Sequence, residues 1–310
     1  MTDGPPRYTR SVLVLVLVLV GVLASLLFAG CGSAAQLPRA HAKAALGVSA
    51  THVTVMTPEG RERSYVLYVP TGGPRRKPLV LVFHGAEGTA EQTTQETDFV
   101  QVAAQSGSVV AFLQGYEDTW NEGAGHTPAE VAHVDDVAFT SAVLSQIEAR
   151  YPIDRTRVAA TGFSNGALLT ELLGCRLASR LTLVAPVAGP LPVSVSPSCR
   201  PARPISVLEM HGTADQSIPY GGGPFPGVGG GTTVLSAPAT AARWASLDRC
   251  TRHGQTADRA QATIVTTYSA CRAHAVVQLR SLQGAGHGWP SNVGELVAGF
   301  LQQHPGAPAA

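Results

Sequence analysis

The sequence predicts an α/β domain with a mainly parallel central sheet and helices on both faces, and three observations carry that prediction. Apolar runs of buried-strand type alternate with segments of helical period over residues 78–303, the pattern of repeated βαβ units. A strand-like run at 157–161 passes through Gly162-Phe163-Ser164-Asn165-Gly166 into a helix marked by Leu168, Leu169, Leu172 and Leu173. Two further polar residues, Asp215 and His287, each follow a predicted strand, and functional side chains of parallel sheets gather at strand carboxyl ends.

Before the domain comes a segment of another kind. Arg7 and Arg10 precede residues 12–29, which hold no charge, and small residues then lead to Cys31. A basic start, an apolar run and small residues before a cysteine make an export signal. Phe28-Ala29-Gly30-Cys31 resembles a lipobox, which implies lipidation at Cys31. The alternative is an uncleaved anchor, since about 18 apolar residues suffice to span a bilayer. Either way the arginines stay inside and the rest of the chain lies outside the cytoplasm, on the outer face of the plasma membrane or secreted. The expected organisation is a signal peptide at 1–30, a flexible tether at 31–45 rich in small residues, and one domain at 46–310.

Composition fits a large core, with 45% hydrophobic and 14% charged residues. A formal net charge of +1 offers no electrostatic case for nucleic acid or for strong attraction to anionic surfaces. Setting Cys31 aside leaves Cys175, Cys199, Cys250 and Cys271, an even number suited to disulfides in an exported chain. Four cysteines permit three pairings. Cys175 with Cys199 and Cys250 with Cys271 is favoured because each closes a short loop, worth about 3 kcal/mol on the chain-entropy account. No two stand at C-x-x-C spacing, which argues against zinc.

Within the domain, residues 51–56 and 63–69 alternate as strands, and 78–83 (PLVLVF) reads as a strand buried on both faces. The loop after it, His84-Gly85-Ala86, is placed to supply a backbone N–H at Ala86, with His84 as a loop anchor. A helix at 99–104 and a strand at 109–113 follow. The loop 116–126 offers Trp120 as an apolar pocket wall, and Asp135 or Asp136 caps a helix running to Tyr151. Strands at 181–188 and 205–210 come next, the second opening into His211-Gly212-Thr213-Ala214-Asp215. The glycine-rich segment 221–231 lacks the lysine and threonine of a phosphate loop and reads as a mobile rim. A helix at 240–247 and a strand at 275–282 lead to the loop Gly286-His287-Gly288-Trp289, with Trp289 a second pocket candidate, and a helix at 292–303 closes the domain.

Gly-x-Ser-x-Gly between a strand and a helix is the nucleophile elbow, a strained bend that exposes the serine hydroxyl above the sheet. A serine hydroxyl needs a base to accept its proton, and the base needs a carboxylate to orient it. Ser164, His287 and Asp215 fill these roles in the order Ser, Asp, His. The backbone N–H groups of Ala86 and Asn165 would stabilise an oxyanion. This chemistry requires no metal or organic cofactor.

The blocks at 134–139 (VDDVAF), 161–167 (TGFSNGA), 185–189 (APVAG), 211–220 (HGTADQSIPY) and 286–290 (GHGWP) resemble the polyhydroxybutyrate depolymerase and feruloyl esterase family of α/β-hydrolases, including lipoprotein esterases of actinobacteria. The resemblance implies an α/β-hydrolase fold, with Ser164 as nucleophile, Asp215 as acid and His287 as base. It departs where the family's depolymerases carry His-Gly-Cys, for here Ala86 holds the third place and no cysteine stands near Trp120-Asn121. With the short stretch after His287, this points to a soluble short-chain or aromatic ester rather than solid polyester. The expected function is therefore an exported serine carboxylesterase acting on a small-molecule ester, held to the membrane through Cys31. A cell-envelope acyltransferase on the same scaffold and a non-catalytic surface lipoprotein are the alternatives, and the intact trio argues against the latter.

Overall fold

A computed structural model describes residues 47–124 and 126–307. The expected signal peptide, the lipidation site Cys31 and the whole of the tether lie outside these residues. In chain order the strands and helices are β1 (Val48–Met56), β2 (Glu62–Pro70), β3 (Lys77–Phe83), α1 (Ala90–Glu96), α2 (Phe99–Ser106), β4 (Val109–Leu113), α3 (Pro128–Val131) and α4 (Asp136–Arg150). They continue with β5 (Ile153–Phe163), α5 (Asn165–Leu177), β6 (Leu183–Val187), β7 (Ser206–Gly212), β8 (Gly223–Phe225), β9 (Thr232–Val234) and α6 (Ala237–Leu247). The last are β10 (Arg252–Asp258), β11 (Thr263–Ser269), β12 (Val277–Leu282) and α7 (Val293–Gln303).

Ten strands form one sheet in the order β1-β2-β4-β3-β5-β6-β7-β12-β11-β10. The six from β4 to β12 run parallel, and an antiparallel pair flanks them on each side. The parallel strands read as unbroken apolar runs because both faces are covered. Along β3, Leu79, Leu81 and Phe83 enter a core shared with α4, α5 and α6, while Val80 and Val82 enter a second core beneath α2 and α7. The chain leaves β3 toward β4 on one side, and β5 lies on the other, so a crevice opens at the carboxyl ends of β3 and β5.

The strands that the sequence did not yield are the polar ones. On β10 nearly every residue is exposed, so no apolar alternation marks it, and it forms as the outer partner of β11. The segment expected as a mobile rim, 221–231, carries β8 and leads into β9, a short hairpin tied to the body by a bridge from Val234 to Pro192. Asp135 accepts from the Ala138 N–H at 2.8 Å and caps α4. Asp136 does something else: it is buried and meets the buried Arg63 guanidinium at 2.8 Å.

The disulfides are Cys175–Cys199 and Cys250–Cys271. Both cores, the whole sheet and both bonds close within residues 47–307, so this part carries its own core. Among the described residues no helix is long and apolar enough to cross a membrane.

Glu171 on the elbow helix α5 and Glu209 on β7 are fully buried together. Glu171 accepts from the Trp244 indole N–H at 2.7 Å, but neither oxygen of Glu209 has a hydrogen-bond partner. Burial pushes both carboxyls up, and Glu171 raises Glu209 further. Asp248 is likewise raised by burial, to about 7. Such groups keep protons that the unfolded chain releases, so their contribution is greatest below their ordinary values, 4.5 for Glu and 3.8 for Asp, and is lost as the pH climbs through the raised ones. The thermal midpoint is therefore expected to fall between about pH 5 and about pH 8. Glu209→Gln should flatten that slope in differential scanning fluorimetry, and an unchanged slope would contradict the account.

Candidate active site

β5 ends at Phe163, and the chain turns at Ser164 with φ 56° and ψ −119° before α5 begins at Asn165. A residue with a side chain rarely adopts positive φ, and holding it there costs on the order of 1–3 kcal/mol. The flanking glycines are required by contact. A Cβ at Gly162 would lie 2.2 Å from the Gly166 oxygen, and one at Gly166 would lie 2.4 Å from the His84 oxygen. The elbow thus presses directly on the backbone at the end of β3.

The turn carries Ser164 Oγ to 2.9 Å from His287 Nε2, and His287 Nδ1 lies 2.7 Å from Asp215 Oδ2. Asp215 follows β7 and His287 follows β12, neighbours in the sheet, which is why two loops 72 residues apart meet. The Asp215 Oδ1 atom accepts from the backbone N–H groups of Ser217 at 2.8 Å and Ile218 at 3.0 Å. His211 Nε2 lies 3.2 Å from Asp215 Oδ2 and 2.9 Å from the Ile218 oxygen, two acceptors that fix its proton on Nε2. Burial alone would raise the Asp215 carboxyl, but the hydrogen bonds from His211 and His287 outweigh it and hold it down to about 2. The carboxylate is charged over the whole neutral range. The Phe163 ring lies tilted against the His287 imidazole, centroids 4.6 Å apart.

Ala86 and Asn165 stand with Ser164 on the wall of a cavity of about 380 Å³. Asn165 opens α5, where its N–H has no acceptor within the helix. Leu168, Ile218, Phe225, Pro226 and Val228 give the cavity its apolar wall, the last three from the hairpin segment.

Trp120 was expected on this wall and is not there. It is fully buried, because its indole N–H donates to the His84 oxygen at 2.8 Å and its ring packs edge-on against Phe83. Its backbone N–H also donates to Asn165 Oδ1 at 2.8 Å. One tryptophan therefore grips both loops that carry Ala86 and Asn165. Trp289 also misses the wall: it packs behind the elbow on Phe163 and Phe99, at centroid distances of 5.5 and 6.4 Å. His84 anchors its loop as its position suggests, with Nδ1 2.7 Å from the Gly85 oxygen and Nε2 accepting from the Gly115 N–H at 2.9 Å. Burial lowers its pKa, which keeps the ring neutral in that role.

Sequence reasoning passed over His211 and Glu122. His211 stands four residues before Asp215 in a segment already singled out, a spacing that could have marked it. Glu122 gave no signal; it lies in a loop whose path depends on the buried Arg63–Asp136 pair, through the Asn121 N–H donating to Asp136 Oδ2 at 2.7 Å. Glu122 lines the cavity, is 2% exposed, and accepts from Asn165 Nδ2 at 3.0 Å. Burial raises its carboxyl to about 8, so it is neutral at pH 7. Among the described residues no group of His, Cys, Asp and Glu could hold a metal ion.

A mainly parallel sheet covered on both faces, with the serine turn after β5 and the aspartate and histidine on later strands, defines the α/β-hydrolase fold. Solved structures agree. An acetyl xylan esterase from Aspergillus awamori superposes with TM-score 0.62 at 14% identity, covering 81% of this chain and 99% of that one. A ferulic acid esterase from Anaeromyces mucronatus superposes with TM-score 0.51 at 16% identity, covering 83% and 89%. In sequence, residues 63–193 match the family described as Esterase PHB depolymerase. Feruloyl esterase B of Piromyces equi is 30% identical over 234 residues, 73% of this chain and 42% of that protein. Feruloyl esterase C of Emericella nidulans is 27% identical over 245 residues, 76% and 80% of the two chains. The chain belongs to the polyhydroxybutyrate depolymerase and feruloyl esterase family. It spans less than half the length of the first curated relatives that it matches.

Gly166→Ala should yield no soluble folded protein, because backbone atoms of β3 cannot retreat without opening the sheet. The check is near-ultraviolet circular dichroism of whatever is recovered. A native spectrum would show that the elbow tolerates a methyl group.

Proposed function

We propose that this protein is an exported serine carboxylesterase, and the observation that carries the proposal is the chain of contacts from Ser164 Oγ to His287 Nε2 and from His287 Nδ1 to Asp215. His287 takes the hydroxyl proton as Ser164 Oγ bonds to the substrate carbonyl carbon. Asp215 holds the imidazole in the tautomer that leaves Nε2 free to accept, and stabilises the imidazolium that forms. The developing oxyanion is bound by the N–H groups of Ala86 and Asn165, each such donor being worth about 3 kcal/mol. When the tetrahedral intermediate collapses, the C–O bond to the alcohol breaks and His287 returns the proton to it. An acyl ester remains on Ser164, and water, activated by the same imidazole, releases the acid.

The substrate is a soluble ester with a short or aromatic acyl group. A cavity of about 380 Å³ walled by Leu168, Ile218 and Phe225 suits that class, and relatives carrying feruloyl esterase names favour it. Two disulfides support an oxidising, extracellular setting, with Cys31 as the point of lipid attachment.

Ser164→Ala should abolish labelling by a fluorophosphonate probe and lower kcat for an aryl acetate by at least about 10⁴-fold. Labelling that persists in the variant would sink the proposal.

The alkaline side of the pH profile follows from Glu122. The rate falls above about pH 8 as Glu122 ionises, because a carboxylate hydrogen-bonded to Asn165 opposes an oxyanion forming at the same residue. Glu122→Gln should remove that alkaline fall in kcat/KM. A fall retained in that variant would assign it to another group.

A further inference from the structure

The formal net charge of +1 conceals a polar molecule. At the amino ends of the parallel strands, the end opposite Ser164, stand Arg75 and Arg76 before β3, Lys77 at its start, Arg155 and Arg157 early in β5, Arg150 at the close of α4 and Arg180 beyond α5. The acids there are already engaged: Glu148 meets Arg155 at 2.9 Å and Arg180 at 3.4 Å, and Asp154 meets Arg157 at 3.2 Å. Arg75 and Arg76 are exposed, and no carboxylate pairs with either among the described residues. The other end is acidic, with Glu87, Glu117, Asp118 and Asp135 exposed on loops around the crevice.

Arg75, Arg76 and Arg155 converge on one concavity of about 390 Å³, which Glu148, Tyr151 and Ile153 also line. Its size suits a phosphodiester headgroup. Arg75 and Arg76, which no carboxylate pairs among the described residues, and Arg155, which shares its charge with Glu148, leave the concavity a net positive charge, and arginine binds phosphate through paired, charge-assisted hydrogen bonds. Tyrosine and arginine together are also the side chains that settle at the boundary of a bilayer.

The path of the chain selects the partner. Gly47, at the start of the described residues, accepts hydrogen bonds from Thr71 N and Thr71 Oγ1, each at 2.9 Å. Thr71 stands four residues before Arg75, so the domain is entered from the basic end. The upstream chain therefore joins the domain at this end.

We propose that the basic end is a docking surface for anionic lipid headgroups, with a headgroup phosphate held between Arg75, Arg76 and Arg155. Docked so, the domain lies with its parallel strands pointing away from the bilayer and the Ser164 crevice facing outward, and the acidic end is repelled from the surface. Attraction of this kind needs only a local cluster of basic side chains within a Debye length of the lipid, not a large net charge.

Residues 46–310, which carry their own core and lack Cys31, provide the test. Co-sedimentation would compare vesicles of phosphatidylcholine alone with vesicles containing about 30 mol% phosphatidylglycerol, at about 0.02 M salt. Partitioning at least about tenfold greater onto the anionic vesicles, and lost at about 0.5 M salt, is the expected result. Arg75→Glu with Arg76→Glu and Arg155→Glu should reduce binding to the level on neutral vesicles, while Arg259→Glu, exposed in the turn after β10 at the opposite end of the sheet, should leave it intact. Circular dichroism of the triple variant confirms that it is folded, a readout independent of the esterase reading. Equal binding to both vesicles, or binding indifferent to the triple substitution, would overturn the proposal. Capture of a soluble polyanion such as heparin through the same arginines, without vesicle binding, would overturn the lipid assignment.

Discussion

The constraint on which this molecule depends is the approach of the elbow to the end of β3. With hydrogen alone at Gly166, the first turn of α5 rests against the carbonyls of Phe83 and His84. That contact sets Asn165 beside the loop of Ala86 and fixes the direction in which the Ser164 hydroxyl leaves the sheet. It also explains how a serine keeps a positive φ. The bend is held from below by β3, from behind by the Ser164 N–H donating to the Val187 oxygen at 3.0 Å, and by α5 itself. Backbone strain of this kind persists only where the surroundings over-determine it.

Around that contact the polar groups are buried and mostly uncharged. The neutral His84, the Trp120 indole and the Asn165 amide form one hydrogen-bonded set that ties the two loops together. Glu122 joins it in its protonated form. Farther out, the Arg63–Asp136 pair holds the loop of Asn121. Breaking such a pair by removing one partner costs about 3–5 kcal/mol, because the remaining charge stays buried alone. The one strongly stabilised anion at the site is Asp215, and two histidines surround it. Charge is thus concentrated where a proton would move under the proposed function and excluded from where an oxyanion would form.

Much of this could be read from the residues. The parallel strands declared themselves as continuous apolar runs, and Gly162-Phe163-Ser164-Asn165-Gly166 marked the bend between β5 and α5. What the sequence withheld follows from the kinds of information that it lacks. β10 has no apolar face, so only its pairing with β11 defines it. Trp120 and Trp289 are large and apolar, and nothing local distinguishes a pocket wall from a core position; the indole of Trp120 is committed inward by a carbonyl 36 residues away. Asp135 and Asp136 are chemically alike, yet one caps a helix and the other meets an arginine 73 residues away. A net charge is a sum, and a sum cannot report that its positive and negative terms lie at opposite ends of a sheet.

The apolar wall supplied by Phe225, Pro226 and Val228 comes from the hairpin segment between β7 and α6, outside the ten-stranded sheet. Its ties to the body are few, chiefly the bridge of Val234 to Pro192 and the hydrogen bond from the Thr232 hydroxyl to the Ala124 oxygen. Serine, histidine and aspartate are borne by the sheet, while the face that would meet the acyl group is borne by an appendage. Such a division of labour makes the segment a replaceable cassette: descendants of this scaffold could exchange it, lengthen it or shorten it, and so acquire a new diet without relearning how to fold.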